Sequence, residues 1–270
     1  MKKVKDWTEI PYGKLNAATQ RFFGSLGDKA GKVIDRMNTD PEYMKRNVRY
    51  AINGGYEAFT SQKKARVIMG KNFFGIENAI SCFGVNPSIE QLDILDEVPW
   101  SEEILTSCKD THILVAKFPI SILEIEDTYK RLFRRGNIPD GIYPYRTFYK
   151  YKGEIGWHLV RKTPVTGSAN KTWNEQLELL LEEEKTLSAG TLVYATVGHF
   201  LTTAERLFQK TYVRCADIVV SDKSPSSAFY SPPYHALFGC NDKEGIRFGG
   251  YTNDRRDVDI ELSSEMRRQS

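Results

Sequence analysis

The pattern of apolar and polar positions changes character near residue 108. Before it, apolar residues recur three and four positions apart, which is typical of one face of a helix. Helices are predicted over residues 16–23, from the Asp40-Pro41 start to about Phe59, over 61–69, 75–83 and 88–95, and from Ser101 onward. Serine and aspartate at several of these starts are favoured N-caps, and proline suits a first helical turn. Residues 1–108 are therefore predicted to be mainly helical.

After residue 108, short apolar runs rich in β-branched residues predict strands. These strands cover residues 111–118, 157–161, 190–197, 213–220 and 246–248, and the alternation of aromatic and polar residues over 143–151 is typical of another. Helices are predicted over 172–184 and 199–209, and residues 221–234 are loop-like. The expected fold class is α+β, with a helical N-terminal half followed by a mixed β-sheet with helices packed on one face. Regions 1–108 and 109–270 form either two domains or one continuous domain.

The composition is that of a globular protein with an ordinary core. Hydrophobic residues make up 40% of the chain and aromatic residues 12%. No apolar run reaches 18 residues, and no apolar segment follows the basic N-terminus, so we expect a soluble, cytoplasmic protein without membrane contact. The four cysteines lie far apart without a C-x-x-C pair, which favours reduced thiols. No short metal-ligand spacing and no enzymatic signature is present, so neither a metal nor a cofactor is expected.

The net charge of +3 hides blocks of opposite sign. Residues 1–72 carry fifteen Lys and Arg against seven Asp and Glu, and residues 128–171 carry ten against two. Between them, residues 77–110 carry one Lys against eight acidic residues. Such blocks either pair inside the fold, pair between copies of an assembly protein, or leave a basic face open to an anionic partner. Self-association of the second kind would weaken with salt.

One basic block interleaves cations with aromatic residues. Single-stranded RNA and DNA need this combination, because bases stack on rings while phosphates meet positive charge. The candidate nucleic-acid-binding residues are Arg131, Arg134, Arg135, Tyr145, Arg146, Tyr149, Lys150 and Lys152. A nucleic-acid-associated binding protein is the first functional hypothesis. The alternative for the same residues is a strand whose aromatic side chains face the core.

The stretch 156–176 holds the densest group of candidate site residues. A helix starting near Thr172 offers free amides to phosphate or carboxylate, and nearby cations add charge. The candidate ligand-binding residues are Arg161, Lys162, Asn170, Lys171, Thr172 and Trp173. His158 is the candidate acid–base group, with Glu175 or Glu205 as the orienting carboxylate. The second hypothesis is therefore an enzyme acting on a phosphorylated or otherwise anionic substrate, and its alternative is a surface loop with a structural histidine.

Several runs also carry a resemblance. These are Lys109–Ala116, Trp157–Val165, Asn170–Trp173, Asn72–Ile76, Glu205–Phe208 and Tyr212–Arg214. Together they resemble an uncharacterised bacterial protein family that recurs in environmental genomes of small, uncultivated bacteria. The resemblance covers roughly residues 38 to 216 and weakens beyond Asp217. It implies a bacterial intracellular protein with one coherent fold, and it implies no activity or catalytic residue.

Overall fold

Contacts divide the chain after Glu57, into units 1–57 and 58–270. The structure, a computed structural model, describes residues 12–24, 27, 30–41, 44, 59–134, 147–219 and 234–268. In the first unit, helix α1 (Tyr12–Gly24) contains the predicted helix over 16–23, and helix α2 (Ala30–Thr39) was not predicted. Pro41 and Met44 are helical, and the amide of Met44 donates to the Asp40 carbonyl at 3.1 Å. The rest of the helix predicted towards Phe59 lies outside the described residues.

Four helices begin directly after the residues predicted as their starts. Helices α3 (Gln62–Met69), α4 (Ile76–Phe83), α5 (Ile89–Ile94) and α6 (Glu102–Cys108) follow Ser61, Gly75, Ser88 and Ser101. At three of these starts the serine hydroxyl accepts a hydrogen bond from an amide of the first turn, which satisfies a donor that the helix leaves free. Three strands of two residues lie among these helices and were missed: β1 (Thr60–Ser61), β2 (Phe73–Phe74) and β3 (Glu97–Val98).

A five-stranded mixed sheet forms the centre of the second unit. Strand β4 (His112–Lys117) pairs antiparallel with strand β5 (Gly156–Arg161), and both strands were predicted. Strand β11 (Ser264–Met266) pairs with β5 on one side and with β6 (Glu184–Thr186) on the other. Strand β2 pairs in parallel with β4, so the strand order is β2-β4-β5-β11-β6.

A second sheet has four strands in the order β10-β7-β8-β9. They are β7 (Tyr212–Val219), β8 (Tyr234–Asp242), β9 (Gly245–Thr252) and β10 (Ile260–Leu262). The predicted runs 213–220 and 246–248 correspond to β7 and β9, whereas β8 and β10 were missed. The predicted loop over 221–234 lies outside the described residues except for Tyr234, which begins β8.

The predicted strand over 190–197 is wrong, because these residues belong to helix α10 (Ala189–Thr203). The helix contacts both sheets, and nearly all of its side chains up to His199 are buried. A helix buried on every side shows no amphipathic period, so its apolar run resembles a buried strand. Ala204 ends it with a left-handed φ of 60°, so the helix predicted over 199–209 stops at Thr203.

Two further predictions need correction. The helix predicted over 172–184 is shorter than expected and covers only α9 (Trp173–Leu177). Glu184 belongs to strand β6, and its carboxylate accepts a hydrogen bond from the Leu181 amide. The alternating segment 143–151 contains the one-turn helix α8 (Thr147–Lys150), not a strand, in its described part. Helix α7 (Ile122–Thr128), which precedes it, was not predicted.

The fold class is α+β, as predicted, but helices and strands are not sorted into two halves. Strands β1 to β3 lie before residue 108, and the longest helix of the described residues, α10, lies after it. Residue 108 also separates β2 from its partner β4. Helical segments contact both sheet faces: α10 covers the face that carries Lys117, and the Trp157 indole, on the opposite face, donates to the Leu95 carbonyl after α5. No helix of the described residues is long and apolar enough to cross a membrane.

Candidate functional site

Strand pairing places His158 beside charged residues on one face of the five-stranded sheet. Because side chains alternate along a strand, His158 shares its face with Gly156 and with Lys117, which lies opposite Gly156. Glu265 of β11 and Lys185 of β6 lie opposite each other on the same face. We call this group the His158 site. It comprises Lys117, His158, Lys185, Glu265 and Arg268.

His158 and Glu265 form a hydrogen-bonded pair at the centre of the site. His158 Nδ1 lies 2.5 Å from Glu265 Oε2, and the side chains are 12% and 6% exposed. Burial raises the pKa of Glu265, but the hydrogen bond and charge of His158 together with Lys185 outweigh burial and hold that pKa below its usual value. Glu265 is therefore ionised at neutral pH, and a carboxylate can only accept a hydrogen bond.

The ionised carboxylate decides which nitrogen of His158 carries the proton. Nδ1–H donates to Glu265, so in the neutral ring Nε2 is the free base. No described residue bonds to Nε2, and Nε2 is not one of the buried, unpartnered atoms of the described residues. A histidine with one nitrogen held by a buried carboxylate and the other accessible has the geometry of a general acid–base group.

Cations surround this pair. Lys185 Nζ lies 3.0 Å from Glu265 Oε1, and its side chain is 44% exposed. The Arg268 guanidinium lies directly over Gly156, where a Cβ atom would be 2.1 Å from Nη2. Its Nε donates to the Trp157 carbonyl at 3.2 Å, which fixes the side chain over the sheet. Together with Lys117, the site holds three basic side chains and one carboxylate, and this excess of positive charge favours an anionic ligand.

Two of the predicted anion-binding residues, Arg161 and Lys162, form ion pairs with carboxylates of the protein. Arg161 Nε donates to Glu184 Oε1 at 2.7 Å, whereas Lys162 Nζ lies 2.9 Å from Glu205 Oε1. The two cations therefore meet two different carboxylates instead of one shared ligand. Thr172 caps the five-residue helix α9 in a capping box with Glu175.

The remaining residues of that prediction hold the loop to the second sheet. The amide of Asn170 donates to the Asp257 carbonyl at 2.9 Å, and that of Trp173 donates to the Asn253 carbonyl at 2.8 Å. The Trp173 ring stacks on His235 with ring centres 3.8 Å apart. Lys171 is half-buried. Anion binding by this loop stays a prediction.

The carboxylates expected to orient His158 serve other partners. Glu175 accepts from Thr172 and Arg256. Glu205 meets Lys71, Lys162 and His199, and the hydrogen bond from Lys162, opposed by burial, is the main cause that lowers the pKa of Glu205 to about 2. Glu265 was missed because it lies 107 residues beyond His158 and no local spacing connects the two.

The predicted nucleic-acid surface is partly internal. Tyr149 is 3% exposed and its hydroxyl donates to Glu126 at 3.0 Å, so its ring is not open to base stacking. Arg134 pairs with Glu244, and Lys152 pairs with Glu124 at 2.7 Å. Arg131 and Lys150 are exposed. Arg135, Tyr145 and Arg146 lie outside the described residues.

A groove of about 720 Å³ lies away from the His158 site. Its wall residues with charged side chains are Asp110, Lys162, Glu205, Arg206, Lys210, Asp259 and Glu261. Carboxylates and cations are mixed there, so the groove selects neither sign of ligand. Within the described residues, no group of His, Cys, Asp and Glu side chains could hold a metal ion.

No family model, no curated protein and no solved structure matches this chain. The family resemblance noted from the sequence therefore stays a prediction.

Proposed function

We propose that the protein is an enzyme that acts on an anionic substrate, with His158 as its general acid–base group. The observation that supports this most directly is the 2.5 Å contact between His158 Nδ1 and the buried Glu265 carboxylate, which leaves Nε2 free. A catalytic histidine needs one nitrogen oriented and the other open, and it contributes typically about 10²- to 10⁴-fold in rate.

The site residues divide the work between binding and proton transfer. Lys185 and Arg268 attract the phosphate or carboxylate group of the substrate. Nε2 of His158 removes a proton from a water, hydroxyl or carbon acid of the bound substrate, and the resulting imidazolium is stabilised by Glu265. The proton then returns from Nε2 to the leaving or rearranged group. Compared with the sequence-based hypothesis, His158 keeps its role and the 161–172 loop gives way to Lys185 and Arg268.

Metabolite profiling tests the proposal without a known substrate. Small metabolites from a cell extract are separated into anionic and unretained fractions, incubated with the protein and measured by mass spectrometry. We expect wild type to consume at least one compound of the anionic fraction and His158→Gln to consume it at least about 100-fold more slowly. His235→Gln is the same change outside the site and should keep the activity. An unchanged anionic fraction, or equal consumption by His158→Gln, would contradict the proposal.

Binding of single-stranded nucleic acid is the second proposed function. It is supported by the segment 150–152, where Tyr151 is 58% exposed between two exposed lysines. Fluorescence anisotropy with mixed RNA and DNA oligonucleotides should show binding that falls with salt. The double variant Lys150→Glu/Lys152→Glu should lower the slope of log affinity against log salt by about 1.4, which is two contacts at about 0.7 each. The idea fails if wild type does not bind, or if the exposed control Lys210→Glu has the same effect.

The proposed location is the cytoplasm. Cys82, Cys108 and Cys215 are free thiols, which suits a reducing compartment. The side chain of Cys240 lies outside the described residues. Self-association through the oppositely charged blocks stays a prediction from the charge pattern.

A further inference from the structure

Lys117 is a buried amine that the acid–base mechanism does not use. Its side chain ends β4 and is 2% exposed. The amine Nζ donates to the Lys152 carbonyl at 2.8 Å, and it forms no ion pair within the described residues. Burying a cation without a carboxylate partner costs stability, so such lysines are often found where the amine has a chemical task.

The surroundings of Lys117 favour its neutral form. Burial lowers its pKa to about 8, while the more distant charges of Glu265 and Glu154 act in the opposite direction. The Tyr194 ring of α10, 6.0 Å from Nζ, also acts in the opposite direction, because a ring face attracts an ammonium. With a pKa of about 8, about one tenth of the amine is unprotonated at pH 7, and only an unprotonated amine is a nucleophile.

Lys117 also lies beside the acid–base pair. It faces Gly156 across the strand pair, and His158 is two residues further along β5 on the same face. Side chains in this diagonal relation have Cα atoms about 7–8 Å apart, a gap that a small substrate spans. Gly153 leaves room for the Lys117 amine, since a Cβ atom at this position would lie 2.7 Å from Nζ. Its φ of 67° also lies in the left-handed region that favours glycine.

We propose that Lys117 is a catalytic residue that forms a Schiff base with the carbonyl carbon of an anionic aldehyde or ketone. The lone pair of Nζ attacks the carbonyl carbon, and the C=O π electrons move to oxygen. One Nζ proton passes to that oxygen through His158 Nε2, which gives a carbinolamine. The remaining Nζ proton then passes to the new hydroxyl through His158 Nε2, water leaves, and the C–N bond becomes a C=N bond. Hydrolysis reverses each step and restores the amine, so no oxidant or reductant is consumed.

The nucleophilic amine of Lys117 and the proton transfer through His158, which we call the relay, are supported by different observations. The relay depends on the proposed function of His158, whereas the nucleophilic amine depends only on the burial and partners of Lys117. The two parts can therefore fail separately.

Reductive trapping with glyoxylate and cyanoborohydride at pH 7 tests both parts. Glyoxylate is a small anionic aldehyde, and cyanoborohydride fixes a Schiff base as a secondary amine that peptide mass spectrometry locates. We expect Lys117 to be modified at least about tenfold faster than the exposed lysines Lys150, Lys152 and Lys210, because more of its amine is neutral. A purely structural lysine that is 2% exposed would react more slowly than these three, and that result would overturn the proposal.

Two variants complete the test. Lys117→Arg keeps the cation and a donor for the Lys152 carbonyl, so it should remain folded, lose the signal at position 117 and leave the other lysines unchanged. His158→Gln should slow the trapping at Lys117 by at least about fivefold if the relay operates. Rapid trapping at Lys117 in both wild type and His158→Gln would support the amine and overturn the relay.

Discussion

Replacing Glu265 by Gln is expected to lower kcat by about 10²- to 10⁴-fold, as much as replacing His158, and the double replacement is expected to lower it no further. The physical reason is that Glu265 is a positioning residue. Its carboxylate, 2.5 Å from Nδ1, holds the proton on that nitrogen and stabilises the imidazolium that forms during proton transfer. A glutamine has the same shape but no charge, and its amide can donate to Nδ1 and favour the wrong tautomer.

The measurement uses the compound that metabolite profiling identifies, and it separates kcat from KM. KM should change little, because Lys185 and Arg268 remain in place to bind the anion. Nitrogen NMR of the imidazole provides a readout that needs no substrate: wild type should show the Nδ1–H tautomer of His158, and Glu265→Gln should show a mixture.

Glu184→Gln is the matched control for this prediction. Glu184 is 2% exposed and paired with Arg161, but it lies on the opposite face of the same sheet. It should lose stability and retain kcat and the His158 tautomer. If both glutamine variants lose activity in proportion to their stability, Glu265 is only a structural partner of His158.

Lowering the pH from 6.5 to 4.5 is expected to reduce the free energy of unfolding by about 2–3 kcal/mol through His112 alone. Burial, helped by the charge of Arg161 and opposed by Glu184, lowers the pKa of His112 to about 4. The unfolded state takes up a proton near pH 6.5, and the folded state does so only near pH 4. The unfolded state thus binds more protons between these values, so the stabilisation is complete above pH 6.5 and is lost as the pH falls towards 4.

Urea unfolding at both pH values measures this loss. His112→Leu should be less sensitive to the pH change by about 2–3 kcal/mol. His199 and His235, whose pKa values burial also lowers, remain in both proteins and cancel in the comparison. The Glu205 carboxyl has a pKa of about 2 in the folded protein and about 4.5 in the unfolded chain. Its contribution to the free energy of unfolding is therefore lost only as the pH falls below about 4.5. Equal pH sensitivity of wild type and His112→Leu would show that His112 does not carry the effect.

The sequence predicted elements whose signals are local. Ser61, Ser88 and Ser101 cap their helices because a hydroxyl three residues before an amide is sufficient for that contact. Strands β4 and β5 were also predicted, since each is a short apolar run with clear ends. Helix α10 was not, because its burial on all sides removes the polar face that distinguishes a helix from a strand.

The candidate site shows the same limit. His158 could be selected from its residue type and neighbours, but its orienting carboxylate could not, because pairing of β5 with β11 is a long-range event. Lys117 looked like one polar residue at the end of an apolar strand. Its importance follows from burial on a face covered by α10, which a local pattern does not describe. Tyr149 shows a related limit: the sequence left open whether its ring is exposed to bases or faces the core, and tertiary packing buries it.

The position of β11 has a consequence for the order in which this protein folds. Strand β11 lies between β5 and β6 and pairs with both, so the two earlier strands have no partner on their facing edges until residues 264–266 arrive. During synthesis, the edges of β5 and β6 that face β11 therefore stay unpaired while the strands of the second sheet are synthesised. Unpaired strand edges are prone to aggregation. The same strand carries Glu265 to His158. Closing the sheet and completing the acid–base pair are thus one event, so a chain that has not finished folding holds no oriented histidine.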